Sequence, residues 1–249
     1  MHANNIDDVI RFLTDIMDEG KADQSPIGLF SALYRQVTFG IKERIDNNKF
    51  DDGERMDRLD ALFANRYFKA YEEYKNGETL SLCWDYTFKQ TEKYWPVVGQ
   101  HLIWGINAHV NLDLGIAAAR ICPGDSIHSL KSDFDQINQL LADMVDHVEA
   151  DLARIWPMLR WILKISGQID NFLIDFSMKT ARDGAWEFAT KLAYMSIEEQ
   201  EALIKERDKK VLGLAKFIGN PGLVTSGLLR LIRLGERGTV ADKITILED

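Results

Sequence analysis

The chain has 249 residues, 46% of them hydrophobic, enough to bury a sizeable core as one large domain. Thirty basic against thirty-nine acidic residues leave a formal net charge of −9, which argues against a nucleic-acid partner gripped through clustered Lys and Arg. Two cysteines, Cys83 and Cys122, and no charged-then-apolar leader point to a cytoplasmic, reduced protein rather than a disulfide-stapled secreted one.

Apolar residues recur at helical spacing over residues 6–17 (Ile6, Val9, Ile10, Leu13, Ile16, Met17), and a polar, Pro-containing break follows at 20–28. The pattern resumes over 27–46 with Phe30, Leu33, Tyr34, Val37, Ile41 and Ile45, and stops at the NNKFDDG run. A third helix is predicted to about residue 75, with Leu59, Leu62, Phe63, Tyr67, Ala70 and Tyr74 on one face and Asn76-Gly77 as its stop. Residues 79–95 read as a fourth helix, ended by Pro96.

The next stretch, VVGQHLIWGINAHVNLDLGIAAARIC over 97–122, is a buried central helix in this reading. It approaches membrane-spanning length, but its two His, two Asn and one Asp would make insertion cost several kcal/mol, so no transmembrane segment is expected. Further helices are predicted over 132–155, over 170–194, from the Ser196/Glu199 capping box to about 217, and over the last amphipathic stretch to Gly235. The tail, 239–247, has β character without a partner strand and reads as coil. The sum is an all-α bundle of nine or ten helices around the helix at about 97–121. Residues 1–24 form an N-terminal helix and linker, 25–236 the helical core domain, and 237–249 a tail.

On ideal helix geometry His101, Gly105, His109 and Asp113 share an arc of roughly 120°. His109 and Asp113, four apart, meet over one turn. Such a set suits a divalent metal held by His101, His109 and Asp113, or a His109 base oriented by Asp113, with His101 nearby. The competing structural account is that His109 and Asp113 satisfy each other in a core. Small residues at 105, 108, 115 and 117–119 leave room for helix neighbours or a ligand. Asn107 and Asn111 face another side and favour a bridging role, with Asn107 kept as a candidate ligand contact.

Two arginines interrupt apolar stripes, Arg66 in the third helix and Arg182 in the helix over 170–194, and each needs an anion. Asp113, Asp85, Asp170 and Asp175 are candidate partners, as is an anionic group on a substrate; Trp186 and Trp104 are candidate apolar walls. A second acidic set, Asp143, Asp146, His147 and Asp151, lies beside or opposite the stripe running from Phe134 to Ile155 and reads as a solvated face. No phosphate-cradling Gly-rich loop, nucleophile elbow, HExxH or paired ExxH motif occurs in the sequence.

The runs GLFSALYRQVT (28–38), LDALFANRYFKA (59–70), QHLIWGINAHVNLDLGIAAA (100–119), SDFDQINQLL (132–141) and FSMKTARDGAW (176–186) resemble the bacterial and fungal family known as domain of unknown function 5995. The resemblance spans about residues 25–235. It implies a single helical domain and supplies no reaction and no catalytic residues.

Two functional expectations follow. One is an enzyme acting on a small anionic or amphipathic molecule, metal-assisted or by a His base. The other is a non-catalytic helical module that binds an apolar small molecule, a partner helix or, through the last helix with Arg230, Arg233 and Arg237, a membrane surface.

Overall fold

The computed structural model describes residues 1–156 and 178–248. Among these residues are eleven α-helices and no strand, so the chain is all-α with slightly more helices than the sequence pattern suggests. Helix α1 (Ile6–Ala22) starts at Asn5, whose side chain accepts the Asp8 N–H at 2.9 Å. It folds back on α2 (Ile27–Asp46) through a turn so tight that a Cβ on Gly20 would stand 2.9 Å from Gly28 Cα. Val9, Leu13 and Ile16 of α1 share one core with Phe30, Tyr67 and Phe68.

Helix α3 (Gly53–Lys75) is capped by Asp52 and stops at Asn76-Gly77, where Gly77 takes φ +70°. Helix α4 (Leu82–Thr91) is shorter than the 79–95 stretch predicted. Its first N–H groups, on Leu82 and Cys83, donate to the Asp208 carboxylate at 2.7 and 2.9 Å, so its cap comes from a distant helix.

The central element is not one regular helix. It comprises α5 (Val98–Ala108), a π-helical segment (His109–Leu114) and α6 (Gly115–Ile121), running on without a break. The wider i→i+5 turns of the segment shift the phase of everything after it, so a constant 100° step does not relate residues 101 and 113.

After a 3₁₀ turn (Gly124–Leu130) come α7 (Lys131–Ile155), α8 (Met178–Ala193), α9 (Ile197–Gly219), α10 (Leu223–Gly235) and α11 (Val240–Glu248). Helix α9 opens with the Ser196/Glu199 capping box that its sequence announces. It is tied to the central helix by three side chains in register: Gln100, Trp104 and Asn107 donate to the carbonyls of Ile218, Ala215 and Val211 at 2.9, 2.9 and 3.1 Å. On the opposite flank α8 comes so close that a Cβ on Gly115 would stand 2.9 Å from the Ala185 carbonyl oxygen.

The tail corrects the coil expectation. Thr239 caps α11, with its N–H and hydroxyl both donating to Asp242 at 2.8 Å, and Ile244 and Leu247 are buried with Met17, Leu29 and Leu33. Burial of those two side chains outweighs the weak helix preference of Thr, Val and Ile. Among the described residues no helix is long and apolar enough to cross a membrane.

Candidate functional site

The π segment places His109 and Asp113 in contact, with His109 Nδ1 3.3 Å from Asp113 Oδ2. Both side chains are fully enclosed. Trp84 Nε1 donates to the same Oδ2 at 2.8 Å, and Arg66 Nε donates to Oδ1 at 2.6 Å. Burial alone would raise the Asp113 carboxyl, but the Arg66 guanidinium, His109 and Trp84 more than offset it and hold the group below its usual value, ionised. Burial lowers His109 against the opposing pull of Asp113, leaving the imidazole neutral. An ionised Asp113 accepts the Nδ1–H, so the lone pair resides on Nε2.

That Nε2 is buried and has no hydrogen-bond partner. The ring is fixed by stacking on Phe63, with centroids 3.5 Å apart and planes 7° apart, and by the edge of Tyr34 at 4.6 Å. His109 lines a cavity of about 330 Å³ between α2, α3, α5 with the π segment, α7 and Arg182 of α8. This is within the range of small-molecule pockets. Leu33, Val37, Leu59, Leu102, Ile106, Val110, Ile137 and Leu141 make its wall almost wholly apolar.

Two more residues that line the same cavity carry a buried polar atom without a partner, Tyr34 Oη and Asp60 Oδ2. Burial, reinforced by the neighbouring charge of Asp57, pushes the Asp60 carboxyl up to about 8, so it carries its proton at neutral pH. Burial, then the charges of Asp60 and Asp113, raises the Tyr34 phenol well above its ordinary value. Both are therefore neutral O–H groups, able to donate as well as accept.

Of the residues singled out in the sequence, His109, Asp113 and Arg66 come together, and Arg182 lies on the cavity wall. The Arg66 partner is internal, the Asp113 carboxylate. Arg182 instead donates to Asn138 Oδ1 and the Phe134 carbonyl and lies 4.3 Å over the Phe134 ring. Burial lowers it to about 10. No carboxylate pairs with it among the described residues; Asp170 and Asp175 fall outside them, and Asp85 bonds to Lys89.

His101 does not join the set. Eight residues, about 12 Å along an α-helix, separate it from His109, and its ring lies against Trp104 on the side of Arg233 and Lys243. The grouping of His101, His109 and Asp113 as metal ligands is accordingly not assembled: no cluster of three His, Cys, Asp or Glu suited to a metal occurs among the described residues. Trp104 and Asn107 are occupied as ties to α9 rather than facing the cavity, and Trp186 packs on Phe134 with centroids 5.0 Å apart. In the second acidic set His147 is exposed as expected. Asp151 is buried and hydrogen-bonded to Arg154, while the side chains of Asp143 and Asp146 lie outside the described residues.

Asp60, Tyr34 and Trp84 are the site residues that sequence reasoning passed over. Asp60 carried the signal: with Met56, Phe63 and Tyr67 it forms a stripe at i, i+4, i+7 and i+11, so it is a charge in an apolar face, as Arg66 is.

The family model described as a family of unknown function (DUF5995) matches residues 6–221, and the chain belongs to that family. The match starts within α1 and thus takes in the first helix, ahead of the stretch where the resemblance in sequence begins. Neither curated proteins nor solved structures gave a match.

Proposed function

We propose that the protein is an enzyme that acts on a small, largely apolar molecule bearing one polar group, with His109 Nε2 as general base. Asp113, held by Arg66 and Trp84, acts as the positioning residue for the imidazole. The observation that carries this reading is the unpartnered, fully buried Nε2 of a histidine that lines an apolar cavity. Burying such an acceptor without a bond costs about 1–3 kcal/mol, a cost that a bound substrate would remove. The π segment that carries the pair supports it, since such interruptions recur at functional sites. A His base is preferred to a metal-assisted reaction because both Asp113 oxygens are already engaged by Arg66, Trp84 and His109.

The test is to incubate wild-type and His109→Gln protein with a cell metabolite and lipid extract and follow the extract by mass spectrometry. The expected result is an apolar compound consumed by the wild type alone, with both proteins equally helical by circular dichroism. Equal consumption, or none by a wild type shown to be folded, overturns the reading.

A second reading, peripheral contact with a membrane, is favoured by α10. Leu223, Val224, Leu231 and Leu234 there are 94%, 70%, 62% and 65% exposed, and the helix carries Arg230 and Arg233 but no acid. Co-sedimentation with anionic vesicles that is lost in Leu231→Glu/Leu234→Glu supports it; no co-sedimentation rejects it.

A further inference from the structure

Among the described residues, the cavity is apolar except at a few points. His109, Tyr34 and Asp60 line it, each carries one buried polar atom without a hydrogen-bond partner, and all three side chains are more than nine-tenths buried. Their chemistry differs: one base with a free lone pair, and two neutral hydroxyl-type donors. Tyr34 packs its ring edge on the His109 imidazole, and Asp60 lines the same cavity as both.

We propose that Tyr34 and Asp60 together bind a carbonyl oxygen, and that the reaction His109 serves is proton transfer at the carbon next to that carbonyl in an apolar ketone or aldehyde. The inference rests on the reading of His109 as a base. In the step, the Cα–H bond breaks and its proton passes to His109 Nε2. The electron pair forms a C=C bond while the carbonyl π pair moves to oxygen. The oxygen develops negative charge where Tyr34 and Asp60 donate. The imidazolium then returns a proton to the original carbon or to a conjugated one, so that no oxidant or reductant is consumed. Donors aimed at developing charge inside an apolar enclosure are worth far more than in water, and a carboxyl group serves as such a donor only while it keeps its proton. Asp60 meets that condition because it is buried, with the Asp57 charge adding to the effect, and no cation pairs with it among the described residues, Arg66 being committed to Asp113.

The experiment uses the full chain with 2-decalone, an apolar bicyclic ketone, in D₂O, following deuterium uptake beside the carbonyl by NMR. Binding of 2-naphthol, a planar mimic of the enol, is measured in parallel by fluorescence. Wild type is expected to speed exchange at least roughly 100-fold over buffer, the scale of general-base assistance. His109→Gln should abolish the gain, and Tyr34→Phe and Asp60→Leu should each lower it roughly 100-fold while changing naphthol affinity far less. Binding of both probes without exchange above buffer, or exchange unchanged in both donor variants, overturns the carbonyl assignment and leaves the pocket reading standing. Failure of either probe to bind overturns the pocket reading, and this inference with it.

Discussion

His109 Nδ1 and Asp113 Oδ2 stand 3.3 Å apart inside a single π segment, and the far oxygen of the same carboxylate is taken by Arg66. Replacing Asp113 by Asn would leave the Arg66 guanidinium without its anion. Removing one member of a buried ion pair costs about 3–5 kcal/mol; with Arg66 a quarter exposed, the expected loss is at the lower end, about 3 kcal/mol. Urea unfolding of Asp113→Asn, Arg66→Met and the double variant measures it, and the double variant should be less destabilised than the sum of the two singles.

Asp60 gives a pH signature of the opposite sign to most carboxylates. Its carboxyl titrates near 8 in the fold against an ordinary value of 3.8, so between those limits the native state binds more protons than the unfolded one. The neutral form is favoured by folding, and stability from this group falls as pH rises from about 4 to about 8. Asp60→Asn removes that loss: its melting temperature should exceed the wild type's by several degrees at pH 8, with little difference at pH 4.5.

His101 works at the acid end. Burial, aided by Arg233 and Lys243, holds it down to about 3 against an ordinary 6.5. Here the unfolded chain binds the extra proton, so stability is complete above 6.5 and is lost as pH falls from 6.5 towards 3. His101→Leu should flatten thermal stability across pH 4–6.5 without changing naphthol binding, since the residue is off the cavity.

Gly105 is where the central helix meets α2. A Cβ there would stand 2.3 Å from Phe30 Cγ, and Phe30 itself lines the cavity. Gly105→Ala should therefore cost about 1–3 kcal/mol, the range of overpacked cores, even though alanine is the better helix former. Thermal melts measure the cost, and displacement of Phe30 should weaken 2-naphthol binding as well.

Much of the fold was legible because its signals are local. The Ser196/Glu199 box and the Asn76-Gly77 stop are written in adjacent residues and appear in the structure where the sequence puts them. The α11 helix was not legible, because its stability comes from Ile244 and Leu247 packing on residues more than two hundred positions earlier. The cap that Asp208 places on α4 is likewise a long-range bond. At the site, the His109–Asp113 contact could be read from a spacing of four. The separation of His101 followed from its eight-residue distance along the axis, which an end-on view of a helix ignores. Asp60 could have been found by the test that picked out Arg66, a charge within an apolar stripe.

The π segment also sets how this chain can vary in length. It acts as an inserted residue, so removing one of residues 109–114 would return the stretch to a plain α-helix and leave Gly115 in place against Phe188 and Ala185. A deletion within α5 has no such bulge to absorb it and would turn one part of the central helix by about 100° against the other. A single-residue deletion between His109 and Asp113 should therefore spare the fold and act on the site, because it changes their spacing from four to three.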